Sequence, residues 1–389
     1  MTEKLYYIDS HMRAFSAEVT SCVQNGGRFE VTLDRTAFFP EGGGQLGDSG
    51  YIGNVRVFDT HEGADGEVKH YVNQSIEPGK SYDCAIDWET RFRRMQNHSG
   101  EHIVSGLVHK KYGYNNVGFH MGSDAVTIDF DGELSWEQLC EIELEANRTV
   151  AANYRVITML PTPDELEKLD YRSKKEIAGQ VRIVQIENTD ICACCAPHVS
   201  TTAEVGTVRI LTSERRRRGG EGVRITMLCG LDAYDNEVIV SRNNTEISTL
   251  LSAKRNETAQ AVRRLLNESE KLKARAAELC RTLALMRAQA IEPTDGNICI
   301  FDGILDEPSL RLLVNEAVKK CGGIAAVFSG SDEAGFRYII GSRTVDLRKA
   351  GRAINDAISG RGGGSPEMIQ GSCTACTETI KNILSNFTF

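Results

Sequence analysis

A chain of 389 residues is too long for one ordinary core of about 100–150 residues, so several folding units are expected. Its 41% apolar and 25% charged content excludes the disordered and fibrous classes, and a net charge of −9 excludes a uniformly basic surface. It does not exclude nucleic acid, which needs only a local positive footprint. The stretch from Met1 to Phe15 lacks a signal-like apolar core, and no run reaches the roughly 18 apolar residues of a membrane span. A cytoplasmic, non-membrane protein is expected, in which twelve cysteines stay reduced and those that cluster point to metal rather than disulfides.

The coarse reading is an α+β multidomain chain. Residues 1–88 alternate strand-like runs (Arg28 to Leu33, Tyr51 to Phe58, Tyr82 to Ile86) with Gly, Asp and Asn, which predicts a small antiparallel β-barrel or sandwich. Within it lie Phe38-Phe39-Pro40-Glu41-Gly42-Gly43-Gly44-Gln45 and Gly47-Asp48-Ser49-Gly50, where glycine permits close backbone approach; alone, this reads as a flexible turn. Residues 89–240 form a second, α+β unit. It opens with a helix from Arg91 to Tyr112 that sets Met95, His98, His102, Ser105 and Leu107 at three- and four-residue steps.

From Thr245 to Ala290 the helical signal runs uninterrupted, within an arm spanning 241–292. Val262, Leu265, Ser269, Leu272, Ala276, Leu279, Leu283, Met286 and Ala290 step by three and four, a coiled-coil seam that wants a partner. The seam over 262–290 suggests pairing within the chain or a homodimer; the alternative is one helix packed on its own domain. Residues 293–389 read as a small α/β domain: strand Ile298 to Phe301, helix Pro308 to Lys320, strands Ile324 to Phe328 and Phe336 to Ile340, helix Asp346 to Ile358. A glycine run, Arg361 to Pro366, then precedes a last helix ending near Leu384.

The chemistry concentrates in two places. His98 and His102 project from one face of their helix and can reach one ion, although this spacing alone is commonplace. Cys192-Ala193-Cys194-Cys195-Ala196-Pro197-His198 adds a thiolate and an imidazole. His98, His102, Cys194 and His198 make an N/S set suited to tetrahedral Zn²⁺. Cys194 is preferred over Cys195 because it repeats the four-residue step. Four protein ligands ordinarily mark a closed structural site, so catalysis requires a loose ligand or expanded coordination. His98-Ser99-Gly100-Glu101-His102 also matches H-x-x-E-H, in which Glu101 would be the base of a metallopeptidase; that reading leaves Cys194 and His198 without a role.

Phe39-Pro40-Glu41-Gly42-Gly43-Gly44-Gln45, His98-x3-His102, Gly118-Phe119-His120 and Cys194-x3-His198 together resemble the editing domain of alanyl-tRNA synthetase and its free-standing AlaX relatives. Gly360-Arg361-Gly362-Gly363-Gly364-Ser365-Pro366 is similar to the signature of the DHHA1 domain that follows it in the synthetase and in long AlaX proteins. The family's usual Cys-Gly-Gly-Thr-His reads Cys194-Cys195-Ala196-Pro197-His198 here, keeping the ligand spacing but not the glycines. The resemblance implies a trans-editing deacylase that hydrolyses the ester of seryl- or glycyl-tRNA made for alanine. No region resembles the aminoacylation core. Editing is needed because a pocket that admits alanine cannot exclude glycine and only weakly rejects an added hydroxyl. Glu101 is a candidate proton acceptor, against a solvated helix-face carboxylate; His120 and Gln45 are candidates to bond the serine hydroxyl or the terminal adenosine. For tRNA contact the candidates are the basic loop Arg215, Arg216, Arg217 and Arg218 and the glycines Gly362, Gly363 and Gly364. A zinc-stabilised tRNA-binding module without hydrolysis is the alternative from another class.

Overall fold

Apolar residues at every second position close the first part of the chain on itself. Its strands are β1 (Glu3–Lys4), β2 (Ala14–Asn25), β3 (Arg28–Leu33), β4 (Arg35–Thr36), β5 (Gly50–Ile52), β6 (Val55–Glu62), β7 (Val68–Val72) and β8 (Ser81–Ile86). Six of them form a closed barrel in the order β2-β3-β7-β6-β5-β8, while β1 pairs in parallel with β4. Val19, Val31, Leu33, Ile52, Val57 and Val72 alternate inward and fill the barrel. The run expected as one strand from Tyr51 to Phe58 is a hairpin, because Gly53 takes a left-handed turn at φ 56°. The computed structural model describes residues 2–64, 66–122, 124–173, 180–216 and 221–386.

Helix α1 (Trp88–Tyr112) follows directly and stops at Gly113, whose left-handed conformation returns an N–H to the His109 carbonyl. Then come β9 (Asn116–Met121), β10 (Val126–Phe130), α2 (Trp136–Ala151), β11 (Val156–Met159), α3 (Pro163–Leu166), β12 (Ile183–Ile186), β13 (Asp190–Ala193), β14 (Val208–Arg215) and β15 (Val223–Cys229). An antiparallel sheet of order β14-β15-β10-β9 and a smaller one of order β11-β12-β13 result. Met95, Ile103 and Leu107 of α1 share a core with Leu139 and Ile142 of α2 and with Ile128, Phe130, Ile225 and Met227 of the larger sheet. Residues Ser135 and Gln138 form the capping box that starts α2.

By Cα proximity the chain divides into units Met1–Asn243 and Asn244–Phe389, the division falling inside α4 (Gly230–Leu250). The expected continuous helix from Thr245 to Ala290 is interrupted: α4 stops at Leu250 and α5 (Thr258–Gln289) begins after a turn. Ser252 sits there at φ 47°, Ser248 Oγ donates to the Ala253 carbonyl, and Asn244 Nδ2 donates to the Arg255 carbonyl. These side-chain bonds satisfy carbonyls of the turn between the two helices, so periodicity alone does not carry the helix through. Along α5 the buried positions are Ala261, Ala284 and Ala288, the last two packed with Leu283 and Cys280 against Leu310, Leu313 and Val314. Leu265, Leu272, Leu279 and Met286 of the heptad seam stay exposed.

The second unit continues with β16 (Ile298–Phe301), α6 (Glu307–Ala317), β17 (Ile324–Ser331), β18 (Gly335–Ser342), α7 (Leu347–Ala357), β19 (Gly360–Gly364), β20 (Met368–Cys373) and α8 (Thr377–Asn386). Its sheet has the order β16-β17-β18-β20-β19, with β16 and β17 parallel and the rest antiparallel. One face buries Ile324, Ala326 and Phe328 with Leu347, Ile354, Ile380 and Leu384; the other buries Val327 and Ile339 with α6 and the end of α5. The glycine run that precedes the last helix is an edge strand. A Cβ at Gly362 would collide with Tyr338 Oη and the Gln370 carbonyl, so only glycine lets β19 lie flat on β20. No helix among the described residues is long and apolar enough to cross a membrane.

His70 is fully buried in the barrel wall between Thr36 and the Val31 carbonyl, and burial pulls its pKa from 6.5 down to about 4. The unfolded chain therefore takes up a proton below pH 6.5 that the fold refuses until about 4. Stability of the first unit is expected to fall by about 3 kcal/mol across that window, as followed by urea unfolding. His70→Gln should flatten that slope; an unchanged slope would refute the assignment.

Candidate metal centre

Two segments far apart in sequence meet between the barrel and the larger sheet. Helix α1 contributes His98 and His102, and the turn after β13 contributes Cys194 and His198; the nearest ligand atoms of all four lie within 4.8 Å of one another. Cys194 Sγ is 3.5 Å from His98 Nε2 and 3.4 Å from His198 Nε2. The imidazole centroids are 4.6–5.4 Å apart. The three histidines are essentially buried and Cys194 is half-buried as a residue. Cys195 Sγ turns away, against Gly43, where a Cβ would stand 3.2 Å from it.

Each imidazole presents its other nitrogen to an oxygen. His98 Nδ1 lies 2.9 Å from Gln45 Oε1, His198 Nδ1 lies 2.9 Å from Ser99 Oγ, and His102 Nδ1 lies 3.2 Å from Asp190 Oδ2. For His98 and His198 such partners fix ring orientation and leave Nε2 facing the Cys194 thiol, the arrangement around a bound metal, whereas His102 Nδ1 is at ion-pair distance from Asp190 without an aligned hydrogen bond. Asp190 in turn accepts a two-pronged bond from Arg172 at 2.7 and 2.8 Å. Burial pushes the Asp190 carboxyl up, but the proximity of His102 and the bonds from Arg172 outweigh it and hold the pKa below the usual range. Neither Asp190 nor Arg172 stood out in the sequence, although Asp190 precedes Cys194 by the same four-residue step that separates Cys194 from His198. Arg172 carries no local signal at all.

Gln45 arrives on the glycine-rich loop. Gly42 and Gln45 exchange backbone bonds of 3.0 Å, Gly43 and Gly44 are left-handed, and a Cβ on Gly44 would stand 2.5 Å from the Phe119 ring. The loop thus presses on β9, whose Phe119 ring lies 4.8 Å from that of His98. Gln45 is fully buried, and its Nε2 has no hydrogen-bond partner among the described residues. A buried donor left unpaired is costly unless a ligand accepts from it. His120 follows Phe119 on the strand and, by alternation, points to the opposite, exposed face beside Thr127.

Of the two readings of Glu101, the solvated helix-face carboxylate is excluded, because the side chain is fully buried. Its Oε1 accepts from Ser105 Oγ at 2.6 Å and from Asn116 Nδ2, while Oε2 lies 3.8 Å from His102 Nε2. Donors from the next helical turn and from β9 replace water, which the helix pattern alone does not reveal. Of the basic loop, Arg215 ends β14 and pairs with Glu133 at 2.9 Å, and Arg216 N–H bonds the Gly222 carbonyl. Arg217 and Arg218 lie outside the described residues. Gly362, Gly363 and Gly364 form the edge strand of the second unit.

The family described as "Threonyl and Alanyl tRNA synthetase second additional domain" matches residues 181–225, a stretch that holds Cys194 and His198. The alanyl-tRNA editing protein AlaX-L of Pyrococcus horikoshii is 27% identical over 98% of this chain and 97% of its own length. The alanyl-tRNA editing protein Aarsd1-B of Xenopus laevis is 28% identical over 95% of this chain and 93% of its own. Among solved structures, the C-Ala domain from Aquifex aeolicus alanyl-tRNA synthetase matches 25% of this chain and 97% of its own at 22% identity, with a TM-score of 0.20.

Burial, and secondarily the neighbouring Cys195, pushes the Cys194 thiol up to about 12, so metal uptake must displace its proton. Zinc affinity, measured by chelator competition, is therefore expected to rise with pH between about 6.5 and 8, by roughly one log unit per pH unit from the thiol alone. A pH-independent affinity would show that Cys194 does not bind as the thiolate.

Proposed function

This chain matches the AlaX-type alanyl-tRNA editing proteins along nearly its whole length, and we propose that it is a zinc-dependent hydrolase that clears wrongly attached serine or glycine from alanine tRNA. The observation that carries the metal part of this reading is the convergence of His98, His102, Cys194 and His198, each imidazole held from behind by an oxygen. The donor set of three nitrogens and one sulfur suits tetrahedral Zn²⁺. Bound there, the ion would supply Lewis acidity or an acidified water for ester cleavage.

The chain's own residues divide the remaining work. Gln45 fixes His98 with its oxygen, and its unpartnered Nε2 is assigned to a hydrogen bond with the substrate, the serine hydroxyl being the fitting acceptor. Such a donor favours a hydroxyl over the methyl of alanine, since alanine would leave it unpaired. Glu101, with Oε1 held by Ser105 and Asn116, is assigned as the proton acceptor through Oε2. His120, facing away from Phe119, is left to the terminal nucleotide. Arg215 to Arg218 and the Gly362 to Gly364 edge strand are the proposed tRNA contacts, and the exposed Leu265, Leu272 and Leu279 are where two copies would pair.

One observation favours a second reading. Four protein ligands around one point are the mark of a closed site, which would suit a zinc-stabilised tRNA-binding module without hydrolysis. Incubation with seryl-, glycyl- and alanyl-tRNA separates the two. Release of serine or glycine with alanine retained is expected; tRNA binding without release of any amino acid would leave the binding module standing. In the same assay Cys194→Ala should lose more than the roughly 10–100-fold typical of an outer partner, while Cys195→Ala stays within a few-fold.

A further inference from the structure

Asp48 belongs to the glycine-rich stretch of the sequence yet has no place in the metal cluster or the assigned chemistry. Its side chain is buried and ion-paired with Arg91, the residue two helical turns before His98 on α1. Arg91 Nε donates to Asp48 Oδ2 at 2.8 Å, and Nη2 bonds both Asp48 and the Ala37 carbonyl, the latter at 2.7 Å. Nη1 donates to the Ser10 carbonyl at 3.1 Å. One guanidinium therefore ties three separate backbone segments to one helix.

Two of those segments lead to the cluster. Asp48 closes the base of the loop by exchanging bonds with Phe39, its Oδ2 accepting from Phe39 N–H at 2.7 Å and its own N–H bonding the Phe39 carbonyl at 2.8 Å. The loop so closed carries Gln45 to His98. Arg94, one residue short of a turn further along α1, grips the same loop through the Gly47 carbonyl at 2.7 Å. Ser10, whose carbonyl Arg91 holds, donates its own hydroxyl to the His198 carbonyl at 2.8 Å. Arg91 thus stands one intermediary from the partner of His98 and one from the backbone of His198.

Stability is a weak reason for such a pair. Removing two charges from water offsets most of their attraction, and an apolar pair of equal volume often does as well. What an apolar pair cannot do is hold three acceptors at fixed angles, which the planar fork of arginine does. Since α1 rises about 1.5 Å per residue, the seven residues from Arg91 to His98 set this clamp about 10 Å below the ligand on the same side of the helix.

We propose that Arg91 is a positioning residue of the metal centre, acting through Asp48 and Gln45 on His98 and through Ser10 on His198. The proposal rests on the reading that the cluster binds metal. It predicts that the clamp tunes the metal site itself and not only the stability of the fold.

The experiment uses the full chain and four variants, Arg91→Lys, Asp48→Asn, Ser10→Ala and Arg56→Ala. Arg56 pairs with Asp87 at the same junction of barrel and helix but touches neither Asp48 nor Ser10, so it controls for lost anchorage. Zn²⁺ affinity by chelator competition and the visible spectrum of the Co²⁺-substituted protein are read well below each variant's unfolding temperature. Arg91→Lys and Asp48→Asn should lose at least about tenfold in Zn²⁺ affinity and shift the Co²⁺ bands. Ser10→Ala, which removes one hydroxyl and keeps the fold, should lose about three- to tenfold, and Arg56→Ala should stay within about twofold. If Arg91→Lys and Asp48→Asn do not fold, the Ser10→Ala result decides. Variants that bind Zn²⁺ as the unaltered chain does, with unshifted Co²⁺ bands, overturn the positioning role alone. An unaltered chain that takes up neither ion overturns the metal reading and this inference together.

Discussion

Three imidazoles and a thiol can share one buried point only if something else decides which way each ring faces. A ring has two nitrogens, and a nitrogen turned to the wrong side takes its donor away from the cluster. Here the outward nitrogens meet Gln45, Ser99 and Asp190, which come from a barrel loop, from α1 itself and from the first residue of β13. The site is consequently not a property of one element. It exists where the barrel, α1 and the β11-β12-β13 sheet are brought within hydrogen-bond reach of one another.

This dependence accounts for the shape of the first unit. The barrel contributes no atom to the four-member cluster, yet its loop supplies the oxygen behind His98, and glycine at 44 is what allows the loop to lie against Phe119. Helix α1 is buried along most of its length, with its apolar side in the core shared with α2 and its polar residues committed to named partners. Arg91, Gln96, Asn97, Ser99, Glu101 and Ser105 are all buried, and a helix can bury so many polar groups only when other segments pair them.

Much of the element pattern could be read without coordinates. The strands Arg28–Leu33 and Ile298–Phe301 have the bounds expected of them, because β-branched and aromatic runs edged by charged, polar or glycine residues leave little choice. What escaped were places where a long-range contact overrides local preference. The run Gly360–Gly364 is a strand because Tyr338 and β20 lie against it, and glycine has no strand propensity to announce this. The helix expected from Thr245 to Ala290 breaks after Leu250, where serine and asparagine side chains bond the carbonyls of the turn, a competition that apolar periodicity does not register. For Glu101 the sequence left a solvated carboxylate open beside the proton acceptor, since nothing in its neighbours on the helix foretells Asn116 reaching it from β9.

For the candidate site the boundary is equally physical. The four-residue steps His98 to His102 and Cys194 to His198, and the composition of the set, follow from sequence because they depend on chain geometry within one turn. That the two pairs meet, that Cys194 and not Cys195 faces the imidazoles, and that Asp190 with Arg172 and Asp48 with Arg91 stand behind the cluster were decided by tertiary structure. The Arg172–Asp190 contact spans 18 positions and the Cys194–His98 contact 96, and no local rule of spacing or propensity reaches that far.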